Sequence, residues 1–484
     1  MKEKSTPTRP VVVTILCIGI SVILLIALRV ISYGYIPVDD AMRHAAKAFS
    51  GKDWQNILIL RPDITMDSHV GWHKILEFVQ FVSGCSVDGL VVFSVVFLVI
   101  LFCVLPLFLM KRPEAWLLTL FILWVANYSD LMRIFLGRPF ILTMAVVVFW
   151  GLIWPRFKTN PLSWPSVVLL TVMIALSTWI HCLWYMFALP VLCLFLAREW
   201  RSGFIVSLCT LVGVIVGMLM TGHPVRFFLQ TVGHFFHSLG DHALARQLVS
   251  EFQPSNGDQM VVVAVLGMLI WLAFRGTWKQ KTIDNPVFIL AVVSWIGGFA
   301  VRRVWLDWGI PAVCVWMAVE ISAVLKVSMD SFSWKRASLT LVVACALFIA
   351  MTSDYGGRWT HSLSVQYLSA ENPAHKKWLP DKGGIVYNDD MTVFYQMFYA
   401  NPHADWRYIL GFEPTMMPSA DLEIYRKIQW NNFASEAYKP WVEKMRREDR
   451  LILRRQSKPD IKELEWSFTV PGIWIGRLPE QKHP

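Results

Sequence analysis

Charged residues are scarce in this 484-residue chain, and that scarcity excludes an ordinary soluble protein. Aspartate, glutamate, lysine and arginine make up 17% of the sequence, whereas hydrophobic residues make up 55%. The charges stand in short clusters between long apolar runs. Since a charge at the centre of a bilayer helix costs about 2.5–3.5 kcal/mol, these clusters mark the places where the chain leaves the lipid.

The sequence also lacks the glycine-rich motifs that bind nucleotides. It has no P-loop, and no GxGxxG motif follows a strand-like segment. The formal net charge of +10 is not a nucleic-acid signature, because much of the basic excess lies in short loops between apolar runs. We therefore expect no nucleotide-sugar donor and no nucleic-acid partner.

The apolar runs predict an α-helical multi-pass membrane protein with about eleven transmembrane helices, because a span needs about 17–25 apolar residues. Basic clusters recur in alternate loops, which the positive-inside rule assigns to the cytoplasm together with the N-terminus. We read the first run as a retained signal anchor. The predicted spans lie near 11–31, 88–110, 115–127, 139–154, 165–180, 183–197, 203–220, 259–274, 286–301, 309–326 and 337–352.

This topology divides the chain into a transmembrane catalytic domain, 1–352, and a soluble extracytoplasmic domain, 353–484. The longest outer loops are then 32–87 and 221–258. The tail has no cysteine, so no disulfide framework is predicted there. Strand-like segments at 384–388, 407–410 and 466–477, with a helix predicted over 389–399, indicate a small C-terminal α/β domain.

An acidic pair, Asp39 and Asp40, follows the first predicted span and precedes a helix-prone stretch, 41–49. One interpretation is that the carboxylates only cap this helix by accepting its unbonded backbone N–H groups. Capping needs one carboxylate. The alternative is therefore that one aspartate caps while the other acts as a general base.

Four short motifs follow the first predicted span: Asp39-Asp40-Ala-Met-Arg43, Ser50-Gly-Lys-Asp53-Trp54, Arg61-Pro62 and Gly71-Trp72-His73. Together they resemble bacterial integral-membrane glycosyltransferases of the GT-C superfamily. The detailed likeness covers about the first 80 residues, and the expected topology agrees with it along the chain. The tail segment Pro471-Gly-Ile-Trp-Ile-Gly-Arg477 also resembles the outer domains of such proteins.

The resemblance implies an inverting transfer of sugar from a polyprenyl-phosphate donor on the outer face of a bacterial inner membrane. A carboxylate would deprotonate the acceptor hydroxyl, and cations would hold the departing phosphate. The family pattern favours Asp39 as the base, with Asp40 as the alternative. Among the polar side chains of the first outer loop, we expect Arg43, His44 and His73 to support the pair.

In the second outer loop, Asp130 is the acid that the family pattern would use for positioning. The alternative is a salt bridge to Arg133 or a solvated loop acid. The acceptor would be a lipid, a glycan or a protein of the cell envelope, and membrane lipids surround the site.

The cations expected to hold the donor phosphate lie at predicted outer boundaries: Arg302, Arg303 and Arg138. Arginine forks match phosphate oxygens in paired hydrogen bonds. The simpler alternative is that these side chains reach the lipid headgroups, with Asp307 as a partner of the first two. His181 interrupts an apolar stretch and is a further candidate, or an interfacial histidine within an aromatic belt.

A metal site is a weaker prediction for the loop 221–258. His234, His237 and Asp241 would lie on one helical face and could ligate a divalent cation. An apolar stripe in the same segment favours an amphipathic helix on the outer leaflet instead. No cofactor is certain, and metal dependence stays open.

Two other functions compete with the sugar transferase. A polymerase or ligase of surface polysaccharide would use a lipid-diphosphate donor and rely on arginines and a histidine of the outer loops. A transporter or flippase would carry polar groups or broken helices at mid-membrane in matching halves, and this sequence has almost none there.

Overall fold

The computed structural model describes residues 9–159, 163–240, 251, 253–274, 284–329 and 333–479. The chain forms two compact units, each assembled from separate segments. The first unit comprises Met1–Tyr35, Phe93–Pro224 and Val249–Thr360, and the second comprises Ile36–Val92, Val225–Leu248 and His361–Pro484. The boundary predicted at 352/353 stays a prediction, but the structure groups most of the first outer loop with the tail.

The first unit consists of helices, most of them apolar. Val87–Leu109 begins in the second unit and continues into the first. A helical turn at Arg302–Val304 and a π-helical turn at Trp305–Gly309 lead into the helix Ile310–Ser328. The other α-helices are Arg9–Ser32, Pro113–Ala126, Tyr128–Leu131, Phe140–Thr159, Trp164–Ile180, Ala188–Leu196, Trp200–Met220, Gln259–Phe274, Pro286–Gly298 and Trp334–Thr352.

Six described helices are long and apolar enough to cross a membrane: Pro10–Ser32, Val87–Leu109, Phe140–Lys158, Trp200–Met220, Arg302–Ser328 and Trp334–Thr352. The pair Pro113–Ala126 and Tyr128–Phe135, bent by 120°, makes a seventh if it counts as one span. The remaining apolar helices have 10–17 residues. Each predicted run thus forms an apolar helix, but eleven spans are not confirmed, because several runs fall short of the length that a bilayer requires.

Two glycines bring a pair of these helices into close backbone contact. A Cβ atom at Gly217 would lie 2.5 Å from the carbonyl oxygen of Ala175, and one at Gly213 would lie 2.8 Å from that of Thr171. The helix Trp200–Met220 therefore packs against Trp164–Ile180 through the small-xxx-small spacing common between membrane helices.

The second unit contains a five-stranded sheet in the order β2-β1-β3-β5-β4. Its strands are β1 (Ile385–Asn388), β2 (Arg407–Tyr408), β3 (Arg450–Arg454), β4 (Glu465–Val470) and β5 (Ile473–Arg477). The first three are parallel, whereas β5 and β4 are antiparallel to their neighbours. The predicted C-terminal α/β domain is confirmed as a small sheet with helices, and β3 is a strand that the sequence did not predict.

The α-helices of the second unit come from both the first outer loop and the tail. Asp40–Ser50 packs against Val70–Ser83 and against Met391–Ala400. The remaining α-helices are Pro224–Gly240, Pro373–Lys376, Ser419–Trp430 and Lys439–Lys444.

The first outer loop also joins the edge of the sheet. The backbone N–H of Tyr408 donates to the carbonyl of Ile57 at 2.9 Å, and the N–H of Ile59 donates to Tyr408 at 2.9 Å. Trp54 and Leu58 are buried in the same apolar core as the sheet residues. This core fixes the helix that carries the acidic pair.

Candidate functional site

The second unit positions the acidic pair at the start of the helix Asp40–Ser50. Asp39 is the N-cap residue, and its carboxylate accepts a hydrogen bond from the backbone N–H of Asp40 at 2.5 Å. The capping function therefore belongs to Asp39. Which of the two carboxylates is a base stays a prediction.

Two donors from different segments hold the carboxylate of Asp40. Nε of Arg43 donates at 2.6 Å, and the hydroxyl of Tyr395 donates at 3.1 Å. The Arg43 guanidinium is buried and stacks 3.8 Å from the centre of the Phe412 ring. The first outer loop and the tail thus both orient Asp40.

A hydrogen-bonded chain of three side chains, His44, His73 and Asp67, begins on the helix Asp40–Ser50. Nδ1 of His44 lies 2.8 Å from Nε2 of His73, and Nδ1 of His73 is hydrogen-bonded to the carboxylate of Asp67. The His69 ring meets the His44 ring edge-on, with centroids 4.9 Å apart. His44 and His73, which the sequence nominated as support, are 0% and 2% exposed.

Burial lowers the pKa values of two of these histidines, His69 and His73. Burial, reinforced by Arg43, lowers the pKa of His69 to about 3. Burial also lowers the pKa of His73, although Asp67 acts in the opposite direction. Burial alone would raise the pKa of Asp67, but His73 and His69 bring it below its ordinary value.

These protonation states fix the tautomers of the chain. An ionised Asp67 accepts the Nδ1–H of His73, so Nε2 of His73 accepts the Nδ1–H of His44. Asp67 was not predicted as a site residue, since its pairing depends on how its loop folds back on the helix Val70–Ser83.

The first unit gathers the other predicted site residues in a charged network. Nη2 of Arg302 lies 3.1 Å from Asp130 and 3.8 Å from Asp258. Asn127 also donates to Asp130 at 2.9 Å. Asp130 thus forms its ion pair with Arg302, across 172 residues of sequence, where the simpler expectation was Arg133.

Three arginines of the network surround one glutamate. Nη1 of Arg133 lies 2.8 Å from Oε1 of Glu251, and Arg138 pairs with the same oxygen. Nε of Arg303 lies 3.9 Å from Oε2. The predicted phosphate-binding arginines Arg138 and Arg303 therefore share a carboxylate.

The π-helical turn Trp305–Gly309 supplies the acid that orients two of these arginines. Asp307, 1% exposed, lies 2.9 Å from Arg133 and 3.1 Å from Arg303. Arg303 also contacts Nε2 of His181 at 3.2 Å, and the other ring nitrogen of His181 lies 3.1 Å from Thr143. π-Helical turns are frequent at functional sites.

The structure thus brings together all five site residues predicted in the first unit: Asp130, Arg138, His181, Arg302 and Arg303. Arg133 and Asp307 were considered only as ion-pair partners. Glu251 and Asp258 were not predicted as site residues, because no local motif marks either acid.

The predicted metal ligands are not supported as a cluster. His234 pairs with Glu413 at 2.9 Å, and this carboxylate raises the pKa of the histidine. The His237 side chain and Asp241 lie outside the described residues. Among the residues that the structure describes, no group of three or more His, Cys, Asp or Glu side chains is arranged to hold a metal ion.

Comparisons with known proteins give a distant structural likeness. No protein-family model and no curated protein sequence matches the chain. Among solved structures, the chain is similar to the Archaeoglobus fulgidus oligosaccharyltransferase tethered to an acceptor peptide with the NVT sequon, at 12% identity and a TM-score of 0.47. The match covers 90% of this chain and 68% of that chain. Similarity at this level does not establish a family.

Proposed function

We propose that the protein is an inverting, GT-C-type glycosyltransferase that takes its sugar from a polyprenyl-phosphate donor. It acts at the outer face of a bacterial inner membrane, on an acceptor of the cell envelope. The acceptor hydroxyl attacks the anomeric carbon, and the bond from that carbon to the phosphate oxygen breaks. The phosphate leaves on the lipid with the electron pair of that bond.

The observation that carries this proposal is the charged network of the first unit. Its arginines and acids come from separate segments between apolar helices and meet through ion pairs such as Arg302 with Asp130 and Arg133 with Glu251. Removing so many charges from water costs free energy. Ionisable groups among membrane helices are therefore candidates for a substrate site. Guanidinium groups bind phosphate oxygens in paired hydrogen bonds.

The acidic pair supplies the second requirement of the reaction, a base. Asp39 caps its helix and Asp40 is oriented by Arg43 and Tyr395, so both carboxylates have fixed positions. The family pattern favours Asp39 as the base, with Asp40 as the alternative. His44 and His73 support the helix that carries both.

Sugar transfer by the purified full-length protein in lipid tests the proposal. The donors are a panel of polyprenyl-phosphate sugars, and the acceptor is a crude cell-envelope extract. Wild type is compared with Asp39→Asn and Asp40→Asn, and with Asp63→Asn as a control whose carboxylate is 62% exposed. Transfer by wild type and by the control, lost in one variant of the pair, identifies the base. Equal transfer by all four proteins refutes the catalytic role of the pair.

A second candidate is a ligase or polymerase that uses a lipid-diphosphate donor. The contact between Arg303 and His181, at 3.2 Å, favours it, because such an enzyme relies on arginines and a histidine. It needs no acidic pair. Including a lipid-diphosphate oligosaccharide in the same donor panel therefore separates the two functions.

A further inference from the structure

Three guanidinium groups converge on the side chain of Glu251. Arg133 and Arg138 bind one oxygen of this carboxylate, and Arg303 lies 3.9 Å from the other. Glu251 is 9% exposed, so these charges are poorly screened by water. Three guanidinium groups gathered on one carboxylate form a cationic cluster whose hydrogen-bond donors match the oxygens of a phosphate.

The arginines are held from the other side by Asp307. This carboxylate contacts Arg133 at 2.9 Å and Arg303 at 3.1 Å, and the π-helical turn keeps it buried. Asp307 is therefore a positioning residue, which fixes two of the three guanidinium groups before any ligand arrives. Arg302 has separate partners in Asp130 and Asp258.

The backbone at Glu251 is fixed as well, although its side chain has rotatable bonds. The N–H of Arg303 donates to the carbonyl of Glu251 at 2.9 Å, and the N–H of Arg302 donates to Gln253 at 2.9 Å. A change of side-chain rotamer is therefore enough to withdraw the carboxylate from the arginines.

We propose that Arg133, Arg138 and Arg303 form the binding site for the donor phosphate, and that the Glu251 carboxylate occupies this site until the phosphate displaces it. The inference deepens the proposed function and rests on it. It adds Arg133 to the site, and it assigns Arg302 to a neighbouring ion-pair group.

The charge of the site explains why such an exchange favours the reaction. Once Glu251 withdraws, Arg133, Arg138 and Arg303 lose one carboxylate from among their partners, and the site becomes more positive by one charge. The donor phosphodiester carries one negative charge. When its bond to the anomeric carbon breaks, the electron pair stays on the phosphate oxygen and adds a second charge. The site therefore stabilises the leaving phosphate more than the donor, which is the condition for catalysis.

Binding of short lipid phosphates by the full-length protein in nanodiscs tests this site. The probes are farnesyl phosphate, its methyl diester and uncharged farnesol, and the proteins are wild type, Glu251→Gln and Glu199→Gln. Glu199, paired with Lys158 at 2.5 Å, is the matched control. If Glu251 occupies the site for nine-tenths of the time or more, its removal tightens binding of farnesyl phosphate at least about tenfold.

We expect this gain for both esters, with the monoester bound more tightly than the diester, and no gain for farnesol or for Glu199→Gln. Unchanged or weaker binding of farnesyl phosphate by folded Glu251→Gln overturns the inference. If that variant does not fold, the binding of farnesyl phosphate by Arg138→Gln tests the site. This substitution must weaken binding of farnesyl phosphate about tenfold or more and leave farnesol binding unchanged.

These measurements use no sugar, so they are independent of transfer. Tighter phosphate binding by Glu251→Gln, without transfer from any donor, would keep the site and refute the proposed function. Transfer by wild type, with phosphate binding indifferent to Glu251 and Arg138, would refute the site and keep the function.

Discussion

Nδ1 of His44 lies 2.8 Å from Nε2 of His73, and both rings are buried in the second unit. The two ring nitrogens can share one hydrogen bond only if one of them donates and the other accepts. Asp67 assigns these roles, because its carboxylate accepts a hydrogen bond from Nδ1 of His73 and leaves Nε2 as the acceptor. The helix that begins with Asp40 is therefore connected to the loop before the helix Val70–Ser83 through a chain with a defined direction.

Asp67→Asn should leave the donor and acceptor nitrogens of His73 undefined. The amide has no negative charge to hold the Nδ1–H of His73, so we expect a mixture of His73 tautomers and a stability loss of about 1–3 kcal/mol. Nitrogen chemical shifts of ¹⁵N-histidine-labelled protein report the tautomers, and thermal unfolding reports the stability. Asp63→Asn, whose aspartate is 62% exposed, is the control. A single His73 tautomer in Asp67→Asn, the same as in wild type, would contradict the assignment.

The lowered histidine pKa values predict that acid destabilises the second unit. His69 has a pKa of about 3 in the folded protein and about 6.5 when unfolded. Below pH 6.5 the unfolded chain binds a proton that the folded chain does not. The contribution of His69 to stability is therefore complete above pH 6.5 and is lost as the pH falls towards 3. His73 acts in the same direction.

Denaturant unfolding followed by tryptophan fluorescence between pH 7.5 and 4 measures this effect. His69→Gln should flatten the pH dependence, because the variant has no proton to gain at this position. His361→Gln, which changes an exposed histidine, should leave the profile unchanged. Parallel profiles for wild type and His69→Gln would show that His69 titrates as in the unfolded chain.

Local sequence patterns predicted the elements well. Apolar runs became helices, His181 ends the helix Trp164–Ile180 where a break was predicted, and Asp39 caps the helix that follows it. Each of these outcomes depends on residues within a few positions of one another. The number of spans was harder to predict, because composition alone does not separate a short apolar helix from one that crosses the bilayer.

Apart from the pair of Arg303 with Asp307, which are four residues apart, the partners within the charged network could not be predicted from the sequence. Arg133 binds Glu251 from 118 residues away and Asp307 from 174 residues away. Such pairs depend on how the helices pack. The first outer loop joined the sheet for the same reason, since nothing near Ile57 in the sequence identifies Tyr408 as its neighbour.

Gly217→Ala should weaken the packing of the helix Trp200–Met220. The added methyl group would lie 2.5 Å from the carbonyl oxygen of Ala175 and 2.6 Å from Cβ of Thr178. The two helices would have to move apart, because the backbone of a helix cannot shift locally without loss of its hydrogen bonds. We expect a loss of about 1–3 kcal/mol, measured by thermal unfolding in a fixed detergent. Gly267→Ala is the control, since no atom lies within 4 Å of its added Cβ. Equal melting temperatures for the two variants would contradict this close contact.

Asp389→Ala should destabilise the sheet of the second unit. The Asp389 side chain, at the carboxyl end of β1, is fully buried, pairs with Arg455 and accepts the Tyr438 hydroxyl at 2.5 Å. Burial raises the pKa of Asp389 while Arg455 opposes the shift. Alanine would leave Arg455 without its carboxylate, which costs about 3 kcal/mol when a buried pair is broken.

Hydrogen exchange of β3 in the full-length protein measures this loss, because Arg455 follows that strand directly. Glu423→Ala is the matched control: Glu423 is 65% exposed and lies 3.1 Å from Lys427, itself 59% exposed, so its removal should change stability by less than about 0.5 kcal/mol. We expect faster exchange at Leu451 to Leu453 in Asp389→Ala alone. Similar exchange in both variants would mean that water screens the Asp389 pair as it screens a surface ion pair.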